Sequence, residues 1–231
     1  MKIIAPYHEI ISKIDGAEML RNIELCGRVC YKSEDRITDG SAEKFVGMIL
    51  KSGHESVLEH EKITVRFVCD RGVTHEIVRH RIASYSQEST RYCNYSKNKF
   101  DNEITINLPT WVEEEGYNGS QEKEDYRLED MCADIAEGRA QEWSKLDTWI
   151  FANQAAEYAY MKLIEAGCKP QEARAILPLD CNTELVHTAF INDWKHFFDL
   201  RALGTTGAPH PDAKVLALPL MEEFKAKGYL K

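Results

Sequence analysis

Residues 79–96 read Arg-His-Arg-Ile-Ala-Ser-Tyr-Ser-Gln-Glu-Ser-Thr-Arg-Tyr-Cys-Asn-Tyr-Ser, three arginines and a histidine set among hydroxyls and amides. Little in this stretch could build a core. Arginine offers a planar fork of donors suited to phosphate oxygens and to the O–C–N edge of a heterocycle, and Ser and Gln add short, orientable partners. The chemistry this suggests is recognition of a nucleotide or another polyanion. The competing reading is the solvated end of a helix, the commoner fate of a charge run.

Other chemistries are weaker on spacing. His54-Glu55 with His60 resembles part of a metalloprotease helix, but that motif needs histidines four apart on one face, and these are six apart. Adding His75 and His80 produces no ligand spacing for zinc, so no metal is expected. The seven cysteines (26, 30, 69, 93, 132, 168 and 181) are odd in number, scattered and without a Cys-x-x-Cys pair, which predicts reduced thiols. Cys181 reads as structural. Ser89 has no evident His–Asp pair to activate it and is assigned to positioning. No Gly-x-Gly-x-x-Gly turn is present, which excludes a dinucleotide site of the Rossmann type.

The elements that must carry these residues follow from periodicity. Residues 17–32 and 41–52 have helical apolar spacing, the second followed by Gly53 at C′ and a loop from His54. Ile63, Val65, Phe67 and Cys69 alternate as in a half-buried strand. A helix over 72–81 would end on Arg79, His80 and Arg81, with the serine-rich stretch after it as an ordered loop. Residues 104–108 suggest a strand, and the polar run within 110–127 a surface insertion. A long helix is expected over 127–166, stopped by Gly167, with Pro170 opening a short helix that carries Arg174. Thr183–Phe190 reads as a strand, 191–203 as a helix, and 211–227 as a final helix despite Pro219. The expected class is α+β, helices packed around a small, mostly antiparallel sheet.

A chain of 231 residues with 43% hydrophobic content can bury one substantial core, so a single domain over 1–231 is expected. No apolar run approaches the ~20 residues of a membrane span, and the N-terminus lacks a signal-peptide layout, which predicts a cytoplasmic protein without membrane association. The net charge of −9 argues against a general nucleic-acid binder. Against that background, Arg66, Arg71, Arg79, Arg81 and Arg91 face only Asp70, Glu76 and Glu88 in one stretch. Such a local cationic contrast concentrates anionic substrates. A nucleotide- or RNA-binding module with Tyr85, Tyr92 and Tyr95 as stacking platforms is the rival of a different class.

Arg-His-Arg, seven residues, then Ser89 with Arg91 beyond it resembles the signature of the flavin-dependent thymidylate synthases. Gly53-His54-Glu55-Ser56-Val57-Leu58-Glu59-His60 upstream, and Glu172-Ala173-Arg174-Ala175-Ile176-Leu177-Pro178 and Phe197-Phe198-Asp199-Leu200-Arg201 downstream, resemble three further family blocks in the family's order. The resemblance implies the family's fold and reductive methylation of dUMP to dTMP, with 5,10-methylenetetrahydrofolate as carbon donor, FAD as hydride carrier and NADPH as its reductant. It implies a homotetramer with FAD sites shared between subunits. Flavin-independent thymidylate synthases attack uracil with a cysteine in a Pro-Cys-His setting, and no cysteine here has those neighbours. By resemblance, Arg201 is the catalytic cation against the uracil edge, a role suited to a dry site where positioned donors dominate catalysis. Glu76, Arg79, Gln87, Glu88, Ser89, Thr90, Arg91 and Arg174 join it around dUMP. Ser56, Arg79, His80, Arg81, Gln87, Asn192, His196 and His210 match flavin positions. Phe190 and Asn192 depart from the family, which commonly has Asn and Arg there. A flavin oxidoreductase with another substrate is the remaining alternative.

Overall fold

The computed structural model describes residues 1–117 and 127–229. They form two compact units that interleave along the chain: Met1–Pro6, Val68–Thr74 and Gln87–Glu184 in the first, and Tyr7–Phe67, His75–Ser86 and the segment from Leu185 onward in the second.

In the first unit, β1 (Lys2–Ile4) and β5 (Thr105–Asn107) pair in parallel, Ile3 opposite Ile106. Around them lie α4 (Thr110–Glu114), α5 (Leu128–Ala136), α6 (Lys145–Glu165) and α7 (Pro170–Ala173). The core joins Tyr95, Ile104, Ile106, Trp149, Ile150 and Tyr160. The helix expected over 127–166 is broken. Gly138 takes a left-handed φ of 77° beyond α5, and Ser144 opens α6 with a capping box, its Oγ accepting from Asp147 N while Asp147 accepts from Ser144 N. Local capping chemistry here outweighs the continuous helical pattern. The polar stretch 110–127 is not wholly surface: Val112 and Tyr117 enter the core, and residues 118–126 lie outside those described.

The second unit is built on a four-stranded sheet in the order β2-β3-β6-β4, with β2 Tyr7–Ile10, β3 Lys62–Asp70, β6 Asn182–Phe190 and β4 Ala83–Gln87. The C-terminal end of β3 and the N-terminal end of β6 belong to the first unit. Ile63, Val65, Phe67 and Cys69 are all fully buried, as alternation predicts. In β6 the buried positions are Thr183, Leu185, His187 and Ala189. Ala83–Gln87, expected as loop, is the edge strand β4. An edge has a free side that tolerates the polar Ser and Gln side chains which mask the strand pattern.

Helices α1 (Gly16–Val29), α2 (Ser41–Lys51), α8 (Ile191–Phe198) and α9 (Pro211–Ala226) complete this unit. Asp15 caps α1 by accepting from Glu18 N at 2.8 Å. Ile191, Trp194, Phe197 and Phe198 form one buried stripe on α8, and Trp194 donates its indole N–H to Ile63 O at 3.0 Å. Pro219 sits within α9 at an exposed position, while Leu216, Leu220 and Phe224 of the same helix are buried.

Two helices end earlier than periodicity suggests, and both endings shape the site. Helix α3 (Arg71–Ile77) stops short of Arg79. The Tyr85 hydroxyl lies within hydrogen-bonding distance of both Ile77 O and His80 O, so it ties the following turn to β4. After α8 the chain widens into a π-turn, Asp199–Leu203, closed by Gly204 at φ 68°. A Cβ on Gly204 would lie 2.8 Å from Gly207 O, so the closure requires glycine. Single π-turns of this kind recur at functional sites.

Candidate active site

In the second unit, the turn after α3 and the π-turn after α8 bring Glu76, His80 and Arg201 together. Arg201 donates Nε–H to His80 Nε2 at 2.9 Å, Nη2–H to Glu76 O at 3.1 Å, and Nη1–H to the Glu76 carboxylate. Three of its N–H groups are thus committed. The remainder of the guanidinium's five stay available. Because His80 Nε2 accepts a hydrogen bond, it carries no proton. Burial, and then the Arg201 charge, lower the His80 pKa to about 4, which keeps the ring neutral at physiological pH. Phe197 packs edge-on against the same ring with centroids 4.9 Å apart, and His196 does so at 5.9 Å.

Arg79, His80, Arg81, His196, Leu200 and Arg201 line a cleft of about 360 Å³. Three guanidinium groups, of Arg79, Arg81 and Arg201, give this small cleft a cationic lining. A larger cavity of about 740 Å³ is bounded by Leu58, Ile191, Phe198 and Met221, with Asn192 and His196 on its wall. His196 thus borders both spaces. Asn192 Oδ1 is buried without a hydrogen-bond partner. Ser56 and His210 are exposed and line neither space, and His210 Nδ1 stands 3.8 Å from Asp212.

The first unit, taken by itself, holds Gln87, Glu88, Ser89, Thr90, Arg91 and Arg174, which the family resemblance assigns to a nucleotide. Gln87 Nε2 donates to Thr74 Oγ1 at 3.1 Å and Thr183 Oγ1 at 3.4 Å, which fixes its amide orientation. Glu88 is clamped at three points: its N–H donates to Glu184 O, its carbonyl accepts from Arg71 Nη2, and its carboxylate accepts from Tyr95 OH at 2.8 Å. Ser89 O accepts from the backbone N–H groups of Tyr92 and Cys93. Ser89 Oγ accepts from Arg91 N at 3.3 Å, so the serine serves as a turn-former. Buried Thr90 accepts from the exposed Arg174 through one bond of 3.3 Å. The Arg91 guanidinium lies over the Tyr92 ring, 5.5 Å from its centroid.

Several supporting residues were not apparent from sequence. Arg71 and Tyr95 hold Glu88, Thr74 and Thr183 hold Gln87, and Tyr85 holds the Arg-His-Arg turn. His187, 1% exposed, packs between Tyr85 and Trp194 with both ring nitrogens unpartnered, and burial lowers its pKa to about 3. Its place on the inward side of the β6 alternation is the signal that could have marked it as core. Tyr95 is buried and the Tyr85 hydroxyl is bound to backbone, so of the three candidate stacking tyrosines only Tyr92, 76% exposed, is displayed. Burial pushes the Cys181 thiol up to about 11 and raises that of Cys93, which makes these two poor nucleophiles. Among the described residues no His, Cys, Asp and Glu side chains group as a metal site, and no helix is long and apolar enough to cross a membrane.

The chain is thus an α+β protein whose four-stranded sheet is flanked by helices and whose second unit carries clustered guanidiniums beside a neutral imidazole. The UMP/dUMP methylase PolB from Streptomyces cacaoi, solved with 5-Br dUMP, shares the fold with a TM-score of 0.68 at 18% identity, over 99% of this chain and 95% of that one. Residues 9–227 match the thymidylate synthase complementing protein family, and the chain belongs to it. The flavin-dependent thymidylate synthase of Pyrococcus horikoshii is 36% identical over 198 residues, 85% of this chain and 68% of the relative. That of Pyrococcus furiosus is 32% identical over 180 residues, 78% of this chain and 62% of the relative. The chain therefore spans about two thirds of the length of these curated relatives.

Proposed function

We propose that this protein methylates dUMP reductively to dTMP, taking the carbon from 5,10-methylenetetrahydrofolate and using FAD reduced by NADPH. The observation that carries the reading is Arg201, held rigidly by Glu76 and His80 on the wall of a cationic cleft. A fixed guanidinium against the carbonyl and N3 edge of uracil stabilises the enolate-like form in which C5 is nucleophilic, and a pre-oriented donor needs no reorganisation as that charge develops. No thiol is needed for this route, consistent with the raised Cys93 and Cys181. Arg174, with Thr90, Ser89 and Arg91, is proposed to bind the nucleotide's anionic groups, and the clamped Gln87 and Glu88 to present fixed polar partners.

The residues present fit a flavin nucleotide. Arg79 and Arg81 suit its phosphates, the apolar walls suit its ring, and the orphaned Asn192 Oδ1 offers an acceptor where the family commonly has an arginine. When bound, FAD would supply the hydride that completes the methyl group. His80 and His196 would order its surroundings, His80 as a neutral acceptor. A homotetramer in the cytoplasm, with FAD shared between subunits, is part of the same proposal and follows from the family resemblance. Purified protein should be yellow, bleach on anaerobic addition of NADPH, and restore growth to a thymidine-requiring host. A colourless preparation that binds oligonucleotides and rescues nothing would overturn the proposal.

A further inference from the structure

Resemblance placed Glu76 on the nucleotide, but its carboxylate is turned to Arg201, and Glu76 is not among the residues lining the cationic cleft. The contact is two-sided. The Glu76 carboxylate takes Nη1–H and the Glu76 carbonyl takes Nη2–H, while His80 takes Nε–H, so each of the three guanidinium nitrogens has one N–H fixed. Arg201 sits on the π-turn Asp199–Leu203. Arginine loses considerable rotamer freedom when fixed. Without the Glu76 carboxylate, the remaining bonds are to a neutral imidazole nitrogen and a single carbonyl, each weaker than a bond between two ionised groups.

From this we infer that Glu76 is a positioning residue, fixing the plane in which Arg201 meets the pyrimidine rather than touching the substrate. The inference rests on the proposed methylation of dUMP. It has a second consequence. The carboxylate also offsets the Arg201 charge, and a nearby anion repels a dianionic nucleotide. Ground-state binding and turnover should therefore respond in opposite senses when Glu76 is changed.

The test uses the full-length flavin-loaded enzyme. Glu76→Ala should lower kcat by about a hundredfold, as loss of transition-state orientation does, while dUMP binds at least as tightly as to the parent. Glu76→Gln keeps an acceptor for Nη1–H and should retain kcat within about tenfold of the parent. In an Arg201→Lys background, Glu76→Ala should cost less than about threefold, because a residue that acts through Arg201 has nothing left to position. An equal cost in both backgrounds would overturn the inference, as would a parallel loss of dUMP affinity and turnover, which marks direct contact. A readout independent of activity is the Arg201 Nε–H signal in ¹H–¹⁵N spectra, assigned by its absence in Arg201→Lys. It should be sharp in the parent and in Glu76→Gln, and broadened in Glu76→Ala. A signal unchanged in Glu76→Ala would show that Glu76 does not hold the group. If the parent itself fails to methylate dUMP, the functional proposal falls while this signal still decides the positioning role.

Discussion

Arg174→Ala separates a binding residue from a structural one, because the fold depends little on it. Arg174 is exposed, lies in the short helical turn after α7, and makes one bond of 3.3 Å to Thr90. A single long bond to a neutral hydroxyl contributes at most about 1 kcal/mol, so the urea midpoint should move little. A guanidinium bonded to a nucleotide phosphate or carbonyl contributes about 1.5–3 kcal/mol, so dUMP affinity should fall about ten- to a hundredfold. Titration calorimetry with dUMP, alongside urea melts of parent and variant, measures both quantities. Bound flavin, read from its visible absorbance, should stay in place. Unchanged affinity, or a stability loss above about 2 kcal/mol with affinity preserved, would return Arg174 to a structural role.

Arg201→Lys keeps the charge but loses the planar fork, so kcat should fall more than KM rises while NADPH still reduces the flavin; stopped-flow measurement of the two half-reactions checks this, and parental methylation would refute it. Cys93→Ala and Cys181→Ala should each retain substantial turnover, since both thiols are held protonated, and a cysteine–nucleotide adduct in intact-mass spectra would contradict that. The buried histidines predict acid sensitivity. His187 titrates near 3 in the fold against 6.5 unfolded, so between those values the unfolded chain binds the extra proton and stability falls as pH drops. The effect of His187 is on the order of 5 kcal/mol across the window and is constant below it. His187→Leu should flatten the dependence of urea stability on pH between about 6.5 and 3, and an unchanged slope would rule His187 out as its source.

Much of the site was legible because its residues are of types that seldom serve a core. Arg79, His80, Arg81 and Arg201 stand out by charge and spacing, and the structure brings them to one cleft in the second unit. The alternation in β3 and the stripe on α8 were legible because each buries one face, which imposes a period. What sequence hid were features that depend on tertiary partners. The edge strand β4 carries polar side chains, so its pairing with β6 leaves no apolar pattern. The end of α3 is decided by the Tyr85 hydroxyl reaching back to Ile77 and His80. The break before α6 depends on a capping box written in ordinary residues, Ser144 and Asp147. The role of Glu76 was hidden for the same reason: its side chain could face either a ligand or Arg201, and only the fold shows that it faces Arg201.

The central claim is that this chain makes dTMP with flavin and without a covalent cysteine. The most direct measurement is an anaerobic assay of the purified protein with FAD, NADPH, 5,10-methylenetetrahydrofolate and deuterated water, following dUMP by mass spectrometry. The account predicts dTMP formation that requires flavin, persists in Cys93→Ala and Cys181→Ala, and drops sharply in Arg201→Lys. Absence of dTMP with every component present, or formation that continues without flavin, would contradict it.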